Sequence, residues 1–332
     1  MSTPNNMAVR PVPGRAIEGG RVAVEAVSSP FVVDPPPVVR LGGVRARLAA
    51  ASSRRLVLIV PAGVDGGHVP IALDDRDDPV GLVEIGRPIA TGLHQVDGPA
   101  FDRNGTLYAT FSGARGQSVP VSIFRVPQNG VPEPLASGIV NATSLAFDPF
   151  GDLCVSSRFD GSVYRVTMDG TVEKIASDLG VACGLAFTPD GTMYVGDRSG
   201  TLFRVNAAGR ASPFATLPSS IAAFHLAIGP DEAVYVSGPT LSTSDAIYRV
   251  DRRGEITVFA EGFGRPQGLA VDADGTLYVA EALAGASGVY LVRPGGRREL
   301  MVAGDALVGL AFHPERGAAV ASADTVYLFD PW

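Results

Sequence analysis

The sequence predicts an all-β chain of short strands joined by tight turns, and three observations predict it. Glycine and proline are abundant, 40 and 26 of 332 residues, beside 46% hydrophobic and only 7% aromatic residues, a composition that favours strands and turns over long helices or disorder. Short apolar runs alternate with Asp-Gly, Asn-Gly and Pro-Asp-Gly turns, in which glycine takes positive φ at little cost. Finally, the stretch "GLAFTPDGTMYVGDRSGTLFRV", residues 184–205, recurs in close variants along the chain.

Composition also narrows the partners. A formal net charge of −7 supplies no basic patch for nucleic acid, and no run of like charges forms an electrostatic tail. Lys174 is the single lysine among 27 basic residues, a bias to which no function is attached. The start, "MSTPNNMAVRPVPGRAIEGG", lacks the apolar core of a secretory signal. No apolar run approaches the roughly 18 residues of a membrane span. A cytoplasmic protein without membrane or nucleic-acid partners is therefore expected. Cys154 and Cys183 lie in different repeats without CxxC spacing, which predicts two buried free thiols.

Aligned on a shared alanine, the copies are "GPAFDRNGTLYATF", "SLAFDPFGDLCVSS", "GLAFTPDGTMYVGD", "HLAIGPDEAVYVSG", "GLAVDADGTLYVAE" and "GLAFHPERGAAVAS". The alanine is Ala100, Ala146, Ala186, Ala227, Ala270 and Ala311, at spacings of 46, 40, 41, 43 and 41 residues. Each unit reads as four hairpin-linked strands, one blade of a β-propeller, and six such units predict a six-bladed ring. After Ala311 only three strands fit, whereas "GRPIATG" (86–92) matches "PEPLASG" (132–138) in its distance to the next shared alanine. Residues 83–90 are thus expected to supply the outer strand of the last blade and close the ring, removing exposed edges. Tyr108, Tyr194, Tyr235 and Tyr278 recur at one place in the second strand, which predicts repeat packing.

The unit resembles those of the six-bladed NHL, gluconolactonase/regucalcin and streptogramin-lyase propellers over residues 83–332. Upstream, "GGRVAVEAV", "VVRLGGVRARLAAASSRRLVLIVPAG" and "GGHVPIAL" alternate apolar and polar residues between glycines, predicting a small sandwich. The segments "GGVRA" and "VPAGVDGGHVP" resemble the IPT/TIG immunoglobulin-like domain over residues 11–75, although "EAVSSPF" and "DPPP" depart from its first hairpin. "LDDRDDPVG" reads as a linker, placed at residues 76–82.

Residues just before each innermost strand, and those between the second and third strands, converge at one mouth of a propeller channel. The first set is Asp97, Thr143, Cys183, Phe224, Gln267 and Val308, with His225 one step further along. The second set offers Arg115, Arg158, Asp160, Asp197, Arg198, Asp245 and Glu281. Ligand contacts are expected from Asp97, Arg158, Asp197, Arg198, His225, Gln267 and Glu281.

The gluconolactonase resemblance implies a divalent cation such as Ca²⁺ or Mg²⁺. Its ligands would be a Glu, an Asn and an Asp at positions occupied here by Asp97, Cys183 and Gln267. Asp97 alone keeps an oxygen ligand of that kind. The streptogramin-lyase resemblance places Glu281 at that family's acidic position, but its histidine position holds Gln267. His225 lies one residue away, where strand alternation predicts the opposite face. His94 lies in the approach to the first inner strand near Asp97, where it either reaches the mouth or is a solvated loop residue; His313 follows the sixth inner strand at the opposite channel end; no catalytic residue is assigned.

The preferred expectation is a non-catalytic propeller with no required cofactor, binding a small molecule or a protein at the channel mouth. The alternative is a metal-dependent lactone or ester hydrolase, or a lyase, with altered site residues around Asp97, Asp197, Gln267 and Glu281.

Overall fold

A computed structural model describes residues 8–74, 78–128, 130–283 and 285–332. It is an all-β structure with a β-propeller arrangement, and no helix among the described residues is long and apolar enough to cross a membrane.

Five four-stranded antiparallel sheets stand as separate blades. In the third repeat the strands run, from the inside outward, Ala182–Phe187, Met193–Asp197, Thr201–Val205 and Ala211–Thr216. The other innermost strands are Ala100–Phe101, Ala142–Phe147, His225–Ile228, Pro266–Val271 and Leu307–His313. The repeat beginning at Pro266 has the same antiparallel order but belongs to a 12-stranded sheet that continues into the N-terminal region.

The recurrent turns have a local cause. The Asp102 carboxylate accepts hydrogen bonds from the Asn104 and Thr106 amides, both at 2.9 Å, and Asp148 and Asp272 do the same two and four residues on. An aspartate that caps its own turn, followed by glycine at positive φ, fixes each hairpin where its unit needs it. The repeated tyrosines pack the blades together: Tyr108 meets Phe147 edge-on at 5.2 Å between ring centroids, and Tyr278 lies 4.8 Å from Phe312.

Burial, with the Asp102 carboxylate beside it, pushes the Tyr108 hydroxyl up to about 12. Burial and Asp272 push Tyr278 up to about 12 as well. Above the unfolded tyrosine value of about 10, the folded state therefore holds protons that the unfolded state has lost. Stability from these groups is complete below that pH and falls as pH rises toward 12, by up to about 1.4 kcal/mol per unit for each tyrosine. Urea unfolding between about pH 9 and 11 should record this fall, with a shallower slope for Tyr108→Phe. An unchanged slope would exclude Tyr108 as a contributor.

Ring closure differs from the expected segment. Only Arg87–Ala90 pairs with Val326–Phe329, the third strand of the last sheet. Residues 83–85 instead end Gly81–Ile85, which pairs with Gly67–Leu73 and with Arg15–Ala16. Pro88 explains part of the choice, because an outermost strand can carry a residue that donates no amide hydrogen. Gly81 and Leu82, expected in the linker, are strand residues, while residues 76 and 77 of that linker lie outside the described residues.

The N-terminal strands form one continuous hydrogen-bonded sheet that curls where Val44–Ala51 passes from one set of partners to the other at a register shift. Its order is Val9–Val12, Arg21–Ala26, Arg55–Ile59, Val44–Ala51, Val39–Leu41, Gly67–Leu73 and Gly81–Ile85. The curl brings its ends together, so that the Val9 amide donates to the Val80 carbonyl at 3.0 Å around a core including Val24, Leu41, Leu58 and Ile71.

Arg15–Ala16 lies parallel to both Gly81–Ile85 and Arg298–Ala303, joining this sheet to a propeller strand. The buried Glu84 carboxylate secures the joint, accepting from Arg15 Nε and from the Asp330 amide, each at 2.8 Å.

Candidate functional site at the channel mouth

At one end of the ring, three repeats tie the loop after their second strand to the segment before their own innermost strand. The Arg158 amide donates to Asn141 O (3.4 Å), the Arg198 amide to Val181 O (3.2 Å) and the Ala282 amide to Arg265 O (3.1 Å). The side chain that ends the second strand reinforces this tie. The Ser157 hydroxyl donates to Val140 O at 2.7 Å, and Asp197 accepts from the Val181 amide at 2.8 Å and from Ser199. Glu281 accepts from the amides of Gly264, Arg265 and Leu283 at 2.8 to 2.9 Å. Asp245, which begins the third strand of its repeat, instead accepts from the Thr240 amide and hydroxyl within the same hairpin loop. Asp197 and Glu281, expected as ligand contacts, are buried and spend their oxygens on loop amides, because their strand-end position faces unpaired backbone donors.

The centre of the ring is crossed by a pair that alternation did not foresee. His225 Nδ1 lies 2.8 Å from Asp97 Oδ1, with His225 fully buried and Asp97 12% exposed. Their strands belong to repeats that are not neighbours in the ring, since His225–Ile228 packs beside Ala182–Phe187 and Pro266–Val271, and Ala100–Phe101 beside Ala142–Phe147 and Leu307–His313.

His225 reaches the channel for two reasons. Its strand pairs in regular register with Val234–Ser237, whereas the innermost strands starting at Ala142, Ala182, Pro266 and Leu307 carry a register shift at this point. The equivalent positions Gly98, Gly268 and Gly309 also carry no side chain. A Cβ on Gly309 would lie 2.3 Å from Gly98 N, and one on Gly268 would lie 3.3 Å from Asp97 Oδ1. The space over Gly268 is what the Asp97 carboxylate uses.

Of the other expected mouth residues, Phe224 is buried in the core beside Val236, and Thr143 donates to Asn141 O at 2.8 Å. Gln267 is 8% exposed, and its carbonyl accepts from the Ser237 hydroxyl. His313 lies beside Phe101, away from this pair, and His94 bridges to Phe111.

Arg115, Arg158 and Arg198 come from three successive repeats. Asn141, which the sequence did not single out, positions the first two. Its side chain, at a φ of 51°, donates to Ala114 O and accepts from the Gly116 amide, and its carbonyl accepts from Arg158. The available signal was an Asn immediately before an innermost strand, a residue that tolerates left-handed backbone.

The two cysteines are free and buried. Burial pushes Cys183 up to about 11 and Cys154 up to about 12. Both thiols are thus protonated near neutrality, and a disulfide reagent at pH 8 should label neither until denaturant is added. Rapid labelling of the native protein would contradict this burial.

A hard divalent cation needs several oxygen ligands. At the positions implied for it, Asp97 Oδ1 is already bonded to His225 and accepts from the Gly98 amide at 2.7 Å, and Cys183 offers a protonated thiol. Among the described residues no three His, Cys, Asp or Glu side chains gather in a group that could hold a metal. The donor set does not fit such a cation, and the carboxylate of Asp97, expected as a metal ligand, serves the pair with His225.

No protein-family model matches the chain, and no curated protein matches it in sequence. Solved structures share its fold at low identity. A gluconolactonase from Xanthomonas campestris is 17% identical, with a TM-score of 0.57 over 74% of this chain and 89% of that one. An auxiliary nutrient binding protein from Bacteroides ovatus is 15% identical, with a TM-score of 0.55 over 98% of both chains. Virginiamycin B lyase from Staphylococcus aureus is 15% identical, with a TM-score of 0.53 over 86% of this chain and 94% of that one. The chain is therefore a β-propeller similar in fold to gluconolactonase-like and virginiamycin B lyase propellers.

Proposed function

We propose that this chain is a non-catalytic ligand-binding protein: a six-bladed propeller with an immunoglobulin-like N-terminal domain, taking a small molecule at the channel mouth. Five separate sheets and the equivalent repeat at Pro266 support the count of six. The observation that carries the functional reading is the fate of the acids. Asp97 is committed to His225, while Asp197 and Glu281 are committed to loop amides, so no free carboxylate remains among them for acid or base work. Similarity to the nutrient binding protein over nearly the whole chain agrees with a binding role.

One observation favours the alternative, a lactone or ester hydrolase or a lyase. A carboxylate on one ring nitrogen of a histidine is an arrangement that orients a general base, and His225 Nε2 has no hydrogen-bond partner among the described residues.

Titration calorimetry with Ca²⁺, Mg²⁺, Mn²⁺ and Zn²⁺ is expected to record no saturable binding, and a lactone and ester screen no turnover. Either signal, if abolished in Asp97→Ala, would replace the binding reading with the enzymatic one.

A further inference from the structure

Three guanidinium groups at the mouth have no carboxylate. Arg115, Arg158 and Arg198 take part in no ion pair and no side-chain hydrogen bond among the described residues, although other arginines of the chain, such as Arg87, Arg125 and Arg249, are paired. The nearby acids are engaged elsewhere: Asp160 with Lys174 and Tyr164, Asp197 with the Val181 amide and Ser199, and Asp97 with His225. Backbone ties hold the cluster together, since Asn141 binds both neighbours of Arg115 and the amide of Arg158. Arg158 and Arg198 flank the start of Ala182–Phe187, where the Ser156 hydroxyl donates to Cys183 O.

Phe159, 55% exposed, follows Arg158 and packs over Gly116, where an added Cβ would lie 3.1 Å from its ring. Burial, and the repulsion of Arg198 and Arg115, hold the half-buried Arg158 guanidinium below its ordinary range, against an opposing contribution from Cys183. The half-buried Arg158 and the exposed Arg115 and Arg198 make a local excess of positive charge in a chain of net charge −7, a field that attracts an anion.

We infer that the channel mouth binds a small oxyanion bearing at least two negative charges, a polycarboxylate or an organic phosphate, held by forked hydrogen bonds from Arg115, Arg158 and Arg198. The inference rests on the ligand-binding reading and names its ligand class. Guanidinium groups suit this task because their planar donors match carboxylate and phosphate oxygens two at a time. The exposed Phe159 ring gives an organic portion of the ligand an apolar surface to lie against.

Calorimetry at fixed ionic strength with citrate and with pyrophosphate tests this. Saturable binding of at least one is expected, weakened about tenfold or more in Arg158→Gln and in Arg198→Gln. Arg252→Gln, which removes an exposed pair with Glu232 elsewhere, should leave it unchanged. Because Arg158 is half-buried, the exposed Arg115→Gln serves as a second variant, and Arg158→Lys should lose most of the affinity despite keeping its charge. Binding of citrate alone supports the polycarboxylate form, and binding of pyrophosphate alone the phosphate form.

Silence for both anions overturns the inference, as does equal weakening in Arg252→Gln. A neutral ligand captured by a protein that ignores both anions would leave the binding reading intact and remove only the anion. Turnover lost in Asp97→Ala would instead remove the non-catalytic reading while leaving arginine-dependent anion binding to stand.

Discussion

Replacing His225 with alanine is expected to cost the fold about 3–5 kcal/mol, because it opens a cavity where a fully buried ring packed and leaves a largely buried carboxylate without that partner. The imidazole is fully buried and is the partner that keeps Asp97 in the middle of the ring. Without it the carboxylate retains only the Gly98 amide and faces a void where a ring used to pack. The reciprocal change should cost less. Asp97→Ala removes the carboxylate that needs the hydrogen bond and leaves the ring in place, so a loss of about 1–3 kcal/mol is expected, that of an unmade buried hydrogen bond. Urea denaturation of both variants gives the comparison. The order of the two is the critical result, because a merely solvent-filled channel would make both substitutions cheap. A His225→Ala loss below about 1 kcal/mol would place the pair among screened surface interactions and remove its role at the centre of the ring.

That pair also marks the limit of what could be read from residue order. The repeats were legible because their causes are local: a capping aspartate such as Asp102 or Asp148, a glycine at positive φ, and apolar residues at strand spacing all act within about ten residues. The tyrosine ladder was legible for the same reason. His225 was not, since its position depends on a regular register in one strand and on a partner, Asp97, from a repeat that is not its neighbour in the ring.

Charge told even less. An aspartate that reads as a ligand contact, Asp197, differs from one left in the channel, Asp97, only in which backbone amides surround it. The N-terminal boundary failed similarly. Residues 81–90 read as a linker end and one strand, yet Gly86 divides them between two sheets: 81–85 pair with the nearby Gly67–Leu73, while 87–90 pair with Val326–Phe329, more than 200 residues away. Arg158 and Arg198 were identified from repeat register alone, whereas their lack of carboxylates is a property of the folded neighbourhood.

The division at Gly86 supplies the other large expected effect, in Phe329→Ala. Phe329 is fully buried, ends the strand that Arg87–Ala90 pairs with, and packs in one cluster with Tyr278, Leu310 and Val320. Its ring also fills the space over Gly86, where a Cβ would sit 2.8 Å from it. The next residue, Asp330, is bonded through its amide to Glu84 of the N-terminal sheet and through its carboxylate to Arg87 of the closing strand, at 2.8 and 2.6 Å. Ring closure and the docking of the N-terminal sheet therefore share one hydrophobic anchor. Truncating it should cost about 3–5 kcal/mol, the range for a buried phenylalanine, whereas Phe150→Ala, at an 81% exposed turn position, should change stability by no more than about 0.5 kcal/mol. Because the anchor serves both parts, calorimetric unfolding of the wild type should be a single transition, with Phe329→Ala moving the whole of it to lower temperature. If the variant instead splits into two transitions, with only one displaced, the Glu84 and Arg15 contacts do not couple the N-terminal sheet to the ring, and the two parts are independent folding units joined at Gly86.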